Sequence, residues 1–195
     1  MAQDFFMNGQ NGVSLLIKNW DKSDEKFRSK LFLKQITNIC NHRWNILSIA
    51  ISIEMLINAH IEYIIFDEKN KNTVLFQDLF LRSNYLTFFS KWQILKELCK
   101  ISEKVKKYYD KDVIIRIQEC IELRNIFAHG KCFFDSNEDK FYIEFFKSHS
   151  IKIKELTYEY FQETVIKFYN AINDLNLLVY WDNSWTHTEK IAMEA

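Results

Sequence analysis

The sequence predicts a predominantly all-α fold, a helical bundle with one short β-hairpin. The 195 residues contain three glycines and no proline, and hairpin-rich folds depend on these two residue types for their turns. Apolar residues make up 48% of the chain and aromatic residues 16%, which is typical of a packed globular protein. We therefore expect a single domain over residues 13–195, preceded by a flexible leader over residues 1–12.

The helices are predicted from apolar residues that recur at steps of three and four, as in the long stretch NHRWNILSIAISIEMLINAHIEYIIF. Helices are expected over Ser23–Phe66, Val74–Phe80, Phe88–Lys107, Val113–His129 and Thr157–Val179. Between the last two, KCFF and KFYIEFF flank the turn-like segment DSNED. Two apolar runs around such a segment predict a hairpin over about residues 131–147.

Charge and cysteine usage indicate a soluble, cytoplasmic protein. The chain has 26 basic and 26 acidic residues, so no net field directs it to DNA or to anionic membranes. Its four cysteines are scattered without a CxxC pair, as expected for reduced thiols. The N-terminus lacks the pattern of a signal peptide, and no segment approaches the ~18 uninterrupted apolar residues of a membrane span.

No metal or cofactor is expected. The groupings Cys40-Asn-His42 and Cys120…His129…Cys132 lack the paired short spacings of a zinc site. The chain has no glycine-rich phosphate loop, no GxSxG and no HExxH. Four histidines are expected to be ordinary surface or half-buried side chains: His42, His60, His149 and His187.

Two opposite charges interrupt apolar helix stripes. Glu54 is seven residues from both Leu47 and Ile61, so it falls within the stripe of its helix. Arg124 has the same position, with the opposite sign, on the helix that ends at His129. A buried carboxylate is costly unless it is paired. Either the stripe turns and Glu54 reaches solvent, or Glu54 has a buried cationic partner, for which Arg124 is the candidate.

The segment ELRNIFAHGK places polar groups at a helix end. Asn125 and His129 are four residues apart and share a face, whereas Arg124 and His129 lie about 140° apart around the helix. Gly130 suits the left-handed position that ends helices. Arg124 and His129 meet only if the last helical turn unwinds at Gly130 or if two copies of the chain pack together. There, Arg124 would neutralise a phosphate and His129 would transfer a proton. The alternative is an ordinary helix C-terminus.

The hairpin aromatics also have two interpretations. Phenylalanine and tyrosine side chains could stack on nucleic-acid bases. At strand spacing they are more often core or interface residues, and we favour packing for this set: Phe133, Phe134, Phe141, Tyr142, Phe145 and Phe146. The lysine runs KSHSIKIK and KVKKYYDK could form a phosphate-binding rim, although each run alone is typical of a solvated face.

The segment RNIFAHG resembles the Arg-x(4–6)-His motif of the HEPN superfamily (higher eukaryotes and prokaryotes nucleotide-binding domain), with Asn125 after the arginine. The similarity extends over roughly residues 30–180. A long early helix with an inward acidic residue (SIEMLINAHIEY), a middle helix with a lysine and leucines (FFSKWQILKEL), the Arg–His helix, a hairpin and a closing helix resemble the layout of many prokaryotic members.

The resemblance implies a metal-independent endoribonuclease, a homodimer in which two Arg–His motifs share one cleft. The RNA 2′-hydroxyl would attack the adjacent phosphate and give a 2′,3′-cyclic phosphate and a 5′-hydroxyl. His129 would transfer protons and Arg124 would stabilise the charge on phosphate. Asn125 would orient His129 or the substrate, and Glu54 would position Arg124. Such proteins commonly act as toxins or phage-defence effectors that cut transfer RNA or messenger RNA, under an antitoxin or defence-system partner.

One position departs from a branch of the family. Where nucleotidyltransferase antitoxins act, a tyrosine lies two residues after the histidine, and here that residue is Lys131. This departure argues against that mode of control and makes Lys131 a candidate contact to RNA phosphate. The alternative function is a non-catalytic helical dimerisation or adaptor module that binds a partner protein.

Overall fold

The structure is a computed structural model that describes residues 3–8, 14–20, 29–66, 71–82, 86–102, 105 and 111–180. His187 and most of the run KVKKYYDK lie outside these residues. In chain order the elements are β1 Gln3–Asn8, β2 Ser14–Trp20, α1 Lys30–Ile65, α2 Lys71–Phe76, a π-helical turn Gln77–Leu81, α3 Phe88–Ile101, α4 Lys111–His129, β3 Lys131–Asp135, β4 Lys140–Lys147, β5 Ser150–Glu155 and α5 Tyr158–Tyr180. The predicted helix-rich chain is confirmed, but the strands form more than one hairpin.

The chain divides into two compact units, where a single domain was predicted. The sheet unit consists of Met1–Ala50 and Glu122–Ile166, and the helical unit of Ile51–Ile121 and Lys167–Ala195. The long helices α1, α4 and α5 each contribute residues to both units. Periodicity along such a helix is continuous, so the sequence pattern carries no boundary between the units.

The sheet unit contains a five-stranded sheet in the order β1-β2-β3-β4-β5. Only the β2–β3 pairing is parallel, with Leu16 opposite Phe133. The prediction of a loose leader is therefore wrong for Gln3–Asn8, which pairs with Ser14–Trp20. Leu15, Leu16 and Ile17 are buried in β2. Removing these apolar side chains from water stabilises the position of β2 in the sheet.

Two tight turns connect β3, β4 and β5. The predicted hairpin corresponds to β3 and β4, and the Asp135 carboxylate accepts a hydrogen bond from the Asn137 N–H at 3.0 Å in its turn. The second turn has Ser148 and His149 at φ 51° and 64°, between the paired residues Lys147 and Ser150. Positive φ at both central positions defines a type I′ turn, which usually carries Asn-Gly. The sequence has no such signal here, so β5 was not predicted.

The helical unit buries one face of α1. Ile53, Ile57 and Ile61 are fully buried there, whereas Ile51 on another side of the helix is 56% exposed. His60 is also buried, contrary to the expected surface or half-buried side chain. Its Nδ1 lies 2.6 Å from the Leu56 carbonyl oxygen and its Nε2 2.8 Å from that of Leu175. Burial lowers the pKa of His60, and the two carbonyls oppose that shift.

Among the described residues, α1 is the helix long and apolar enough to cross a membrane by length and composition. Core helices of soluble proteins meet the same criterion, so this property is weak support for a membrane span. The expected cytoplasmic location stays a prediction.

Candidate active site at the C-terminal end of α4

The end of α4 depends on the absence of a side chain at Gly130. The Gly130 N–H donates to the Ile126 carbonyl at 2.7 Å, and β3 begins at the next residue. A Cβ at Gly130 would clash with that carbonyl and would lie 2.7 Å from the Ile143 side chain. The φ angle of Gly130 is outside the left-handed region, so the prediction of a left-handed position is wrong. Glycine is required here because strand β4 approaches the helix end closely.

Arg43 of α1 binds the backbone at this helix end. Its Nε donates to the Phe127 carbonyl at 2.6 Å, and its Nη2 to the carbonyls of Ala128 at 3.2 Å and Gly130 at 3.3 Å. The last carbonyls of a helix have no intrahelical partner, and a cation is favourable beside them. One guanidinium therefore holds the backbone on both sides of His129.

Sequence reasoning missed Arg43, although the signal was present. Arg43 is four residues after Ile39 and three before Ile46, and both isoleucines are buried. It thus carries the same anomaly, a charge on an apolar stripe, that drew attention to Glu54 and Arg124. Its carbonyl partners are contributed by chain more than 80 residues away, which no local pattern reveals.

Arg43 also approaches a buried thiol. Its Nη1 lies 3.6 Å from Cys132 Sγ. Burial raises the pKa of Cys132, and the Arg43 guanidinium opposes that shift. In the part of the chain that the structure describes, no three His, Cys, Asp or Glu side chains are grouped to hold a metal ion.

A pocket of about 450 Å³ lies beside the end of α4. Two segments line it, the last turns of α4 and the end of β4, through Glu122, Asn125, Ile126, His129, Gly130, Phe145, Phe146 and Lys147. Lys147 Nζ and Glu122 Oε2 form an ion pair at 2.9 Å. Phe146 is 73% exposed. Residues that carry an imidazole, an amide and an ion pair thus line one concave space of the size that small ligands occupy.

The pocket gathers some of the predicted site residues. Asn125 and His129 both line it, as their four-residue spacing predicted. Arg124 is not among the lining residues, and its Nη1 donates to Asn125 Oδ1 at 3.1 Å. Lys131 is exposed as the first residue of β3. One chain therefore presents the amide and the imidazole together, with Arg124 beside them on the helix.

Glu54 has a different partner from the one predicted. A buried cationic partner was expected, and Lys91 of α3 supplies it at 2.5 Å, with side-chain exposures of 5% for Lys91 and 27% for Glu54. The assignment of Arg124 as that partner is wrong. Lys91 is three residues after Phe88 and four before Leu95, both buried, so it is also a charge on an apolar stripe. The pair lies within the helical unit and satisfies the buried Lys91 ammonium group and the half-buried Glu54 carboxylate.

No protein-family model, no curated protein and no solved structure matches the chain. The HEPN resemblance thus depends on the Arg–His segment and its place in the helix order.

Proposed function

We propose that the chain is a metal-independent endoribonuclease of the HEPN type, acting in the cytoplasm as a toxin or phage-defence effector. The single observation that carries the proposal is the pocket at the end of α4, where Asn125 and His129 face one concave space. The hydrogen bonds from Arg43 to the carbonyls of Phe127, Ala128 and Gly130 support it, since a proton-transfer group must be held in place.

The chemistry needs one base, one acid and a cation. A neutral His129 imidazole takes the proton from the RNA 2′-hydroxyl, whose oxygen bonds to the adjacent phosphorus. The P–O5′ bond breaks, the leaving oxygen takes a proton from a water molecule, and the His129 imidazolium returns its proton to the hydroxide that is left. The products are a 2′,3′-cyclic phosphate and a 5′-hydroxyl. Arg124 stabilises the charge on the phosphate oxygens, and Asn125 orients Arg124 through their 3.1 Å hydrogen bond.

A homodimer supplies what one chain does not. Arg124 does not line the pocket that contains His129. Packing the α4 ends of two copies would bring Arg124 of one protomer toward His129 of the other. The proposed substrate is transfer RNA or messenger RNA, and an antitoxin or defence-system protein would hold the activity in check.

The test is cleavage of purified transfer RNA and messenger RNA in the presence of EDTA, with the new ends analysed. We expect 2′,3′-cyclic phosphates from the wild type and at least a 100-fold loss in His129→Ala and Arg124→Ala. His149→Asn and Arg82→Ala are matched controls, since both residues are exposed and distant in sequence from the motif. Intact RNA with the folded wild type, or full activity in both motif variants, would contradict the proposal.

An adaptor module is the second candidate. It is favoured by exposed apolar side chains on β4 and β5, where Phe146, Ile151 and Ile153 are 73%, 66% and 57% exposed. An adaptor would leave RNA intact, and motif substitutions would change nothing but stability. The same cleavage experiment therefore separates the two candidates.

A further inference from the structure

Strand β5 is an edge of the sheet, and its central side chains are open to solvent. Among the described strands it comes last in the order, and it pairs there with β4. The four residues Ile151–Lys154 are all exposed, with 66% of Ile151 and 57% of Ile153 accessible. An exposed edge strand is a place where a second extended chain can add to a sheet.

The outer side of β5 presents main-chain groups in a fixed phase. The Leu156 N–H donates to the Phe141 carbonyl at 2.7 Å, and hydrogen-bonded pairs recur at every second residue of an antiparallel ladder. The two lysines of β5 therefore direct their N–H and C=O groups to β4. Those of Ile151 and Ile153 point away from β4, and no main-chain hydrogen bond from another described segment reaches them.

The two faces of β5 differ in chemistry. Lys152 and Lys154 share one face by alternation, and neither forms an ion pair with a described residue. Ile151 and Ile153 share the other face with Phe146, which lies opposite Ile151 on β4 and is 73% exposed. A strand that complements β5 therefore carries acidic side chains opposite the lysines and apolar side chains opposite the isoleucines.

A second copy of the chain does not complement β5. Directly opposite residues of an antiparallel pair lie on the same face of the sheet. A symmetric pairing of two β5 strands over residues 150–154 or 151–155 therefore places lysine opposite lysine. Like charges in that position are destabilising, and lysines on an edge strand guard against self-association. The charge pattern thus favours an acidic partner.

We propose that the outer edge of β5 binds an extended segment of a partner protein in which acidic and apolar residues alternate. The segment adds a strand to the sheet through main-chain hydrogen bonds with Ile151 and Ile153. Its carboxylates pair with Lys152 and Lys154, and its apolar side chains cover the isoleucines and Phe146. Residues 151–154 do not line the pocket beside α4, so the proposal goes beyond both candidate functions and is tested apart from RNA cleavage.

The test measures the binding of synthetic peptides by fluorescence anisotropy. The probe is a fluorescein-labelled heptapeptide, EVEVEVE, and the controls are KVKVKVK and the block sequence VVVEEEE. We expect each control to bind at least about tenfold more weakly, because only the probe matches both faces of β5.

N-methylated forms of the probe test the main-chain hydrogen bonds. One form carries methyl groups on its three valine nitrogens, and the other carries them on three glutamate nitrogens. Alternate residues of an extended peptide direct their N–H groups to opposite edges, and only one edge donates to β5. One form should therefore lose binding while the other keeps it.

Substitutions in β5 then assign the site. Ile153→Pro removes an outward N–H and keeps the hydrogen bonds to β4, so Kd should rise at least about tenfold. Ile153→Val is the matched control and should bind like the wild type. Lys152→Glu combined with Lys154→Glu should reverse the preference, so that KVKVKVK binds more tightly than EVEVEVE. Both lysines are exposed, so this charge exchange tests the site even if Ile153→Pro unfolds.

Equal binding of EVEVEVE and VVVEEEE, or an unchanged preference after the charge exchange, would overturn the proposal. So would a 2′-O-methyl RNA hexamer that loses binding in the charge-exchanged variant while the wild type binds no peptide. If the wild type cleaves RNA but does not distinguish the peptides, the inference fails and the proposed function stands. If the probe binds as expected and RNA stays intact, the proposed function fails and the β5 site stands.

Discussion

At the residue scale, Glu54 and Lys91 show how two charges on apolar helix stripes can be each other's partner. Lys91 is nearly inaccessible and Glu54 keeps a quarter of its side chain in solvent, with a 2.5 Å contact between them. Taking two charges out of water is offset only while both are present. A single charge on a buried helix face is therefore a strong sequence signal, but it does not say whether its partner is structural or catalytic.

Lys91→Ala should lower the free energy of unfolding by about 2 kcal/mol, because Glu54 is left with an unpaired, partly desolvated carboxylate. The double variant Glu54→Leu with Lys91→Met should recover most of that loss, since both charges are then absent. Urea unfolding at constant m-value checks both numbers. The double variant should also cleave RNA at the wild-type rate. A 100-fold loss of cleavage in the folded double variant would restore Glu54 to the active site.

At the element scale, the end of α4 is the product of three parts of the chain. Gly130 allows β4 to approach, Arg43 binds the last carbonyls, and His129 lies between the carbonyls that Arg43 holds. The i,i+4 spacing was enough to predict that Asn125 and His129 share a face. The hydrogen bonds from Arg43 to the end of α4 and the approach of β4 to that helix end could not be predicted, because both are contacts between residues far apart in sequence.

Arg43→Met should lower kcat at least tenfold with little change in KM, because the backbone around His129 loses its donor and the imidazole is no longer held in place. The loss of three charge-assisted hydrogen bonds should also cost about 2 kcal/mol of stability. Cleavage is measured well below the unfolding temperature, and Arg43→Lys should recover part of kcat.

Arg116→Met is the matched control for Arg43→Met. Arg116 also lies on a helix and forms a 2.5 Å ion pair, with Asp174, in the helical unit. It should reduce stability without a selective loss of kcat. A folded Arg43→Met with wild-type kcat would reduce Arg43 to a purely structural residue.

At the scale of the whole molecule, the helices and the β3–β4 hairpin were predictable, and the rest of the sheet was not. Apolar periodicity predicted each described helix, but α1 begins at Lys30 and not at Ser23, and α3 ends at Ile101 and not at Lys107, because Ser102 has extended backbone. The sheet depends on a parallel pairing between β2 and β3, whose residues are more than 110 positions apart, and on a turn without glycine. Neither feature leaves a local pattern. The division into two compact units could not be predicted either, because the helices that contribute to both units show unbroken periodicity.

The proposed composite site can be tested on dimers that combine two different variants. His129→Ala and Arg124→Ala should each be inactive alone. Refolding the two variants together in equal amounts should restore about one quarter of the wild-type activity. Half of the randomly formed dimers contain one chain of each kind, and one of their two possible Arg124–His129 pairings across the interface is intact. The reason lies in the helix geometry, since Arg124 and His129 of one chain point to different sides of α4 and only His129 lines the pocket. Light scattering establishes the dimer, and a titration of one variant against the other should show activity peaking at an equal mixture. Activity that stays at background across the titration, in dimers shown to exchange, would place both residues of a working site in the same chain.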